Sequence, residues 1–301
     1  MTPDRETSAP MAFLIASIGI ATFSMMDAAM KSATIAIGVY NAMLWRNLAI
    51  AVLAGAVHFA RWPGWPARTA MRLHIVRGCV ALAMALLFFW GLARVPMAQA
   101  ISLSYIAPLV AILLAAVLLG EAVRRASVAG SLFALGGVVV ILIGQGRAGM
   151  GDDALWGAAA ILCSALCYGW NIILARQQAL VAGPSEVAFW QTFVALCLLA
   201  LAAPWLVIVP PAAQIPALGM AGLLATVSLM LLAWAYGRAG ASYLAPSEYT
   251  SFLWAALFGW LFFGETVTAW TIGGAGLIVA GCIRAARRRP KPFAQAETII
   301  P

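Results

Sequence analysis

Long apolar segments alternate with short polar breaks along this chain from residue 11 to residue 286. A helix that crosses a membrane needs about 20 mainly apolar residues, and a β-barrel would instead show alternating segments of about ten. The pattern therefore predicts an all-α polytopic membrane protein with ten transmembrane helices. The predicted spans are 11–31, 40–60, 72–93, 97–119, 125–146, 153–175, 186–208, 215–237, 242–263 and 268–286.

The two halves of the chain resemble each other. Residues 90–137 recur as residues 234–281, at a constant offset of 144 residues without a gap. A repeat of this length inside an apolar chain is typical of transporters built from two related helix bundles. We therefore divide the chain into 1–148 and 149–301, each with five predicted spans. The least common residues in register are Trp90 with Trp234, Tyr105 with Tyr249, and Gly120-Glu121 with Gly264-Glu265.

Composition and charge place the chain in a lipid bilayer. Hydrophobic residues make up 64% and charged residues 9%, whereas soluble domains carry about a quarter charged residues. The net charge of +8 would suit nucleic acid, but the basic residues lie at span ends and in the tail, so we expect no nucleic-acid partner. The basic cluster at 284–291 predicts a cytoplasmic C-terminus, and ten spans then place the N-terminus there too. In this arrangement fourteen of the 18 Lys and Arg residues are cytoplasmic.

The odd number of spans in each half predicts an inverted repeat. After five crossings, the second half must enter the membrane from the opposite side. The pair Gly120-Glu121 would then face the cytoplasm, and Gly264-Glu265 the exterior. Two inverted halves can exchange their conformations, which is the geometry of alternating access.

Two tracts carry a family resemblance: PMAQAISLSYIAPLVAILLAAVLLGE at 96–121 and GASYLAPSEYTSFLWAALFGWLFFGE at 240–265. Each has a small-residue start, a mid-span proline or polar break and a terminal Gly-Glu pair, and a Gly-rich span follows. The chain resembles the drug/metabolite transporter superfamily, in particular its ten-span bacterial members with two EamA domains. The resemblance implies two inverted five-helix bundles and a small-molecule substrate.

Within that superfamily, the segment APSEYTSFLWAALFGWLFFGE at 245–265 is similar to the bacterial branch that exports amino acids, including aromatic ones. This resemblance implies efflux of small amphipathic metabolites across the bacterial inner membrane without ATP hydrolysis. The chain itself contains no G-x-x-x-x-G-K-[ST] phosphate loop, so we expect a gradient to supply the energy. Efflux of multiple drugs or cationic compounds is the alternative.

Three charged residues lie within the first two spans, where a charge costs roughly 2.5–3.5 kcal/mol on insertion scales. Asp27 and Lys31 are four residues apart on one helical face, so they form either an ion pair or a coupling site, unless Lys31 extends to the membrane surface. Arg46 in the second span could bind a substrate carboxylate bidentately. Pairing of Arg46 with Asp27 is the structural alternative.

Glu248 lies in the densest polar cluster of any span, beside Pro246 and Tyr249 in the ninth span. Its carboxylate could carry a proton or hold a substrate ammonium group, or it could lie at the membrane interface. The equivalent position in the fourth span is Ser104, next to Tyr105, so only one half carries the charge. We interpret this difference as polar lining in both halves with charge recognition in one.

Aromatic and amide side chains in the spans could line the same cavity, since aromatic walls suit aromatic or cationic ligands. Packing is the alternative for each of them. The Gly-rich fifth and tenth spans predict close helix packing within the fold, or alternatively a homodimer interface. The candidates are Tyr168, Asn171, Trp190, Gln191, Trp90, Trp234, Tyr105 and Tyr249.

Other functional classes fit the sequence poorly. The two histidines, His58 and His74, have no nucleophile pattern around them, and no charged ring or carbonyl filter repeats as in a channel. The five cysteines lie inside spans without nearby His or carboxylate ligands. We therefore expect no enzyme activity, no cofactor and no metal.

Overall fold

The computed structural model describes residues 4–60, 64–107, 109–110, 114, 125–147, 151–179, 181–236, 244 and 247–286. The secondary structure in these ranges is helical throughout, as the hydrophobic pattern predicts. The helices are α1 Asp4–Ala60, α2 Arg68–Leu92, α3 Met97–Ser104, α4 Arg125–Arg147, α5 Gly151–Ala179, α6 Pro184–Leu206, α7 Ile215–Tyr236, α8 Thr250–Phe263 and α9 Ala269–Ala286, with a 3₁₀ turn at Ala212–Gln214.

Helix α1 contains the first two predicted spans. Gly38 interrupts it with φ 78° and ψ 156°, a backbone conformation that favours glycine because no Cβ is present. The chain folds back at this point, since Arg46 in the second span reaches Met26 in the first, with Nη1 3.8 Å from Sδ. One glycine therefore makes the turn between two antiparallel spans.

Five of the described helices are long and apolar enough to cross a membrane, and α1 provides two predicted spans within one of them. Shorter apolar helices lie at 132–144, 250–263 and 269–281, in the predicted fifth, ninth and tenth spans. Together these helices make the chain a polytopic membrane protein.

Helices α4 and α9 pack against each other through glycines. A Cβ on Gly137 would lie 2.5 Å from the carbonyl oxygen of Gly274, and one on Gly281 would lie 2.5 Å from that of Gly130. Gly130, the earlier glycine in α4, thus meets Gly281, the later glycine in α9. The two helices are therefore antiparallel. The Gly-rich spans pack within the fold, as predicted.

The glycine contacts also reveal a pseudo-two-fold relation between the halves. Gly137 corresponds to Gly281, 144 residues later, and Gly274 corresponds to Gly130, 144 residues earlier. One glycine contact is therefore the repeat equivalent of the other. A second contact behaves likewise, because Gly91 packs on Gly157, while the equivalent residues Ala235 and Phe13 share one hydrophobic cluster. These contacts are those expected of an inverted repeat.

Candidate functional site

The helices of the fourth and ninth spans are both interrupted within the first half of the predicted span. Helix α3 ends at Ser104 and turns at Tyr105 before helix resumes at Ala107, while Tyr249 forms the turn before α8 begins. The two breaks are 144 residues apart, at the repeated tyrosines. Discontinuous spans of this kind are typical of substrate sites in transporters.

The two repeated tyrosines meet where these breaks lie. Their rings are 5.4 Å apart in an edge-to-face arrangement at 80°. The Tyr105 hydroxyl accepts a hydrogen bond from the Phe252 N–H (3.0 Å) and lies 2.6 Å from Ser251 Oγ. It also donates toward the carbonyl oxygen of Tyr249, at 3.2 Å. Tyr105 therefore anchors the first turn of α8, in the opposite half of the repeat.

Arg46 and Asp27 lie near each other without forming a salt bridge. Their charges interact electrostatically, but the described contacts of the Arg46 guanidinium are the Met26 sulfur and the face of the Phe89 ring, 5.3 Å from its centroid. Arg46 Nε and Asp27 Oδ1 are buried without a hydrogen-bond partner, and Asp27 is only 4% exposed. Both groups therefore retain unused hydrogen-bonding capacity inside the membrane.

Lys31 does not pair with Asp27, and this part of the sequence interpretation is wrong. Its ammonium group binds Glu265 Oε1 at 2.5 Å and the carbonyl oxygen of Val95 at 2.6 Å, and it lies 5.2 Å from the centre of the Phe263 ring. Lys31 is buried, so it does not extend to the membrane surface either. The second carboxylate oxygen of Glu265 also accepts a hydrogen bond, whereas one carboxylate oxygen of Asp27 has no partner among the described residues.

Glu265 owes its position to the glycines before it. Gly264 ends α8 with φ 64°, and a Cβ on Gly259 would lie 2.5 Å from Glu265 Oε2. That oxygen accepts the Met97 N–H at 2.7 Å. The second Gly-Glu pair is thus a structural element that joins the two halves through Lys31. The first pair, at 120–121, lies outside the described residues.

Two predicted site residues from different spans, Tyr168 in α5 and Glu248 before α8, interact electrostatically. Both side chains are exposed. The described residues therefore include an exposed carboxylate at the break in the ninth span and an exposed aromatic hydroxyl on which its charge acts.

Asn171 takes part in a polar network that includes Arg77, in the third predicted span. Its Oδ1 accepts a hydrogen bond from Arg77 Nε at 3.1 Å, and Arg77 Nη1 binds Gln178 Oε1. Gln178 also contacts His74 Nδ1, and His74 Nε2 lies 3.0 Å from Glu186 Oε1. Arg77 lies five residues inside the third predicted span, and this position was the sequence signal that could have identified it as a site candidate.

The remaining candidates lie elsewhere. Trp190 packs in an aromatic cluster with Trp65 and Phe189, and Gln191 is half-buried on the same helix. Trp90 stacks under the Arg94 guanidinium at 3.5 Å. Trp234 packs against the cluster of α1 and α7. These contacts are those of packing residues, and they do not join the four side chains into one site.

No group of three His, Cys, Asp or Glu side chains within the described ranges could hold a metal ion.

Two copies of the model of the EamA-like transporter family match the chain, at residues 10–143 and 155–286. The chain belongs to this family. It is therefore a membrane transporter of the drug/metabolite transporter superfamily rather than an enzyme, and the resemblance drawn from the two tracts is confirmed.

EamA-family relatives with named activities are similar along the chain. The pseudopaline exporter CntI of Pseudomonas aeruginosa is 27% identical over 281 residues, covering 92% of this chain and 96% of that protein. The riboflavin transporter of Rhizobium johnstonii is 30% identical over 226 residues, 73% of this chain and 72% of that protein. A probable terminal-alkyne amino-acid exporter of Streptantibioticus cattleyicolor is 34% identical over 135 residues, 43% of each chain.

A solved crystal structure of a protein shows the same fold. It aligns with a TM-score of 0.60 at 22% identity and covers 93% of this chain and 98% of its own.

Proposed function

We propose that this EamA-family transporter is a secondary exporter of small amphipathic metabolites, and that its substrates are amino acids, including aromatic ones. It works in the bacterial inner membrane with both termini in the cytoplasm, and its halves, 1–148 and 149–301, alternate access to a shared site. Names of relatives support this class, since two are exporters and one of these is a probable amino-acid exporter.

The Arg46 guanidinium is the observation that carries the proposal. It lies inside the membrane with a sulfur and an aromatic face as its described contacts and an unpartnered Nε. A cation this expensive to bury is explained if a substrate carboxylate completes its hydrogen bonds during transport. Asp27 beside it contributes an equally unsatisfied oxygen, which fits a role in coupling transport to a proton or holding an ammonium group.

Glu248 provides the second recognition group in this proposal. Its charge acts on Tyr168 across the broken ninth span, and the turn itself is held by Tyr105 and Tyr249. A carboxylate here would receive the ammonium end of a zwitterion, and the neighbouring aromatic rings would contact an apolar side chain.

Transport by purified protein in proteoliposomes tests the proposal. Vesicles are loaded with labelled amino acids or with a cationic dye, and efflux is measured with and without a pH gradient. We expect Arg46→Gln and Glu248→Gln each to reduce amino-acid efflux at least tenfold. Arg94→Gln is the matched control, because Arg94 already has a carboxylate partner, Asp153, in an exposed salt bridge, and it should keep wild-type flux.

Wild-type flux from both test variants would contradict the assigned roles. Efflux of the dye without efflux of any amino acid would replace the proposal with the multidrug alternative.

A further inference from the structure

We propose that Arg77 forms a second binding site for organic carboxylates, separate from Arg46 and at the opposite end of the membrane-embedded bundle. The inference builds on the proposed function, because it concerns the path of the same amphipathic substrate. Arg77 lies near the start of α2, at the end of the bundle that the charge pattern predicts to be cytoplasmic. An exported substrate would meet it before Arg46.

The first argument is the unbalanced charge of Arg77. Its two described partners are amide oxygens, Asn171 Oδ1 and Gln178 Oε1, and it forms no salt bridge with a described carboxylate. Amide oxygens satisfy hydrogen bonds but do not neutralise a guanidinium. A half-buried cation that keeps its net charge attracts an anion more strongly than one in bulk water does, because the local dielectric constant is lower.

The direction of each hydrogen bond in the network explains why the acceptors stay in place. Gln178 Oε1 accepts from Arg77, so its Nε2 must donate to His74 Nδ1. The His74 proton is then on Nε2, where it donates to Glu186 at 3.0 Å. Glu186 is thereby engaged by the histidine, and Arg77 keeps a terminal nitrogen, Nη2, without an acceptor among the described residues.

The inverted repeat provides the second argument. Asn171 lies 144 residues after Asp27, so the two occupy equivalent positions in the sixth and first spans. Both equivalent positions lie beside an arginine, Arg46 for Asp27 and Arg77 for Asn171, and the first half supplies both arginines. The arginines themselves are not equivalent in sequence, since Arg46 corresponds to Trp190. The shared arrangement was reached with different residues, which points to a shared requirement.

The neighbours of Asn171 indicate the ligand class. Tyr168 lies one turn before Asn171 on α5, and its side chain is exposed, whereas that of Asn171 is buried. A carboxylate at Arg77 and an aromatic group near Tyr168 describe an amphipathic carboxylate, a class that includes the aromatic amino acids. Of these interactions, only that of the carboxylate depends on Arg77. The site can therefore be tested with ligands that carry the carboxylate or lack it.

Binding to purified protein in detergent tests the site without measuring transport. Three probes share a phenylethyl framework: L-phenylalanine, 3-phenylpropionate, which has only the carboxylate, and phenethylamine, which has only the amine. Affinity is read from ligand-induced shifts of the thermal midpoint and from tryptophan fluorescence. We expect Arg77→Gln to weaken 3-phenylpropionate and L-phenylalanine about 10- to 100-fold, the usual range for a lost charged hydrogen bond, and to leave phenethylamine unchanged.

Asn171→Asp is the second variant, and it preserves the side-chain shape. It would give Arg77 a counter-ion in place of an amide, so it should also weaken the two carboxylates even if Arg77→Gln folds poorly. Arg77→Lys should restore part of the binding. Arg72→Gln is the matched control, because Arg72 is an exposed arginine on the same helix and its loss should change nothing.

Three outcomes decide the proposal. Dependence of 3-phenylpropionate binding on Arg77, retained in Arg46→Gln protein, supports it even if the vesicles export only a cationic dye and the proposed function fails. Equal affinity for 3-phenylpropionate in wild type, Arg77→Gln and Asn171→Asp overturns it. So does the absence of any 3-phenylpropionate binding to wild type.

Discussion

At the scale of single residues, the charges inside the membrane are of two kinds. Lys31 and Glu265 satisfy each other and also bind backbone groups of Val95 and Met97. Arg46 has no comparable partner among the described residues and keeps hydrogen-bonding capacity. A saturated charge is explained by structure alone, whereas an unsaturated one requires a ligand or a conformational change.

The Lys31 and Glu265 pair should therefore behave as a structural element. Lys31→Met or Glu265→Gln alone leaves a buried charge or a cluster of polar groups unmatched, and we expect each to cost about 3–5 kcal/mol, the usual range for a broken buried pair. The double variant should cost less than the two single changes added together. Thermal unfolding of the four proteins in one detergent measures this double-mutant cycle. Additive losses would show that the two side chains are not coupled.

Residue-scale prediction from the sequence succeeded where the repeat supplied the information. The register of Tyr105 with Tyr249 follows from the 144-residue offset, and the structure places these two rings in contact. The partner of Lys31 could not be predicted, because Glu265 lies 234 positions later and reaches it only through tertiary packing. The partners of Arg77 could not be predicted either, because an arginine near a span end commonly extends to the membrane surface.

At the scale of helices, glycine positions determine how closely spans approach. Gly137 and Gly274 face each other in α4 and α9, and each would place a Cβ within 2.6 Å of the other's carbonyl oxygen. Their sequence neighbours Gly136 and Gly273 would place a Cβ in open space. A pattern of small residues predicts the packing of these spans, but only the structure shows which glycine in each pair makes the contact.

This difference predicts a pair of matched variants. Gly137→Ala must push two backbones apart, so we expect it to destabilise the protein by about 1–3 kcal/mol, as overpacking usually does. Gly136→Ala on the same helix turn should be neutral or slightly stabilising, since alanine favours helix. Thermal midpoints of the two variants measure the contrast. Equal midpoints would mean that α4 and α9 do not pack through this face.

At the scale of the whole molecule, the inverted repeat relates the two halves without making them identical. The contacts of Gly137 with Gly274 and of Gly281 with Gly130 exchange under the 144-residue shift, so the scaffold follows the symmetry. The charged groups depart from it, since Asp27 corresponds to Asn171 and Glu248 to Ser104. A symmetric scaffold supports alternating access, and in the proposed mechanism the asymmetric charges would give the two ends of the path different affinities for a substrate.

Inversion itself can be tested at one pair of equivalent positions. Trp65, between the second and third spans, and Val209, between the seventh and eighth, are 144 residues apart and are 83% and 79% exposed. In a background without the native cysteines, each is replaced by cysteine and treated with a membrane-impermeant maleimide. The positive charges predict that the first loop is cytoplasmic. We expect Val209→Cys to react in intact spheroplasts and Trp65→Cys only after the membrane is opened.

The two sites have equal access to reagent apart from the membrane, so a difference in labelling reports sidedness alone. Reaction of both positions from the same side would mean that the halves are parallel, and the exchange of conformations between inverted halves could then not operate. Reaction of Trp65→Cys alone in intact spheroplasts would keep the inversion but reverse the whole protein in the membrane. In that case Arg77 would face the exterior, and the substrate would meet Arg46 first.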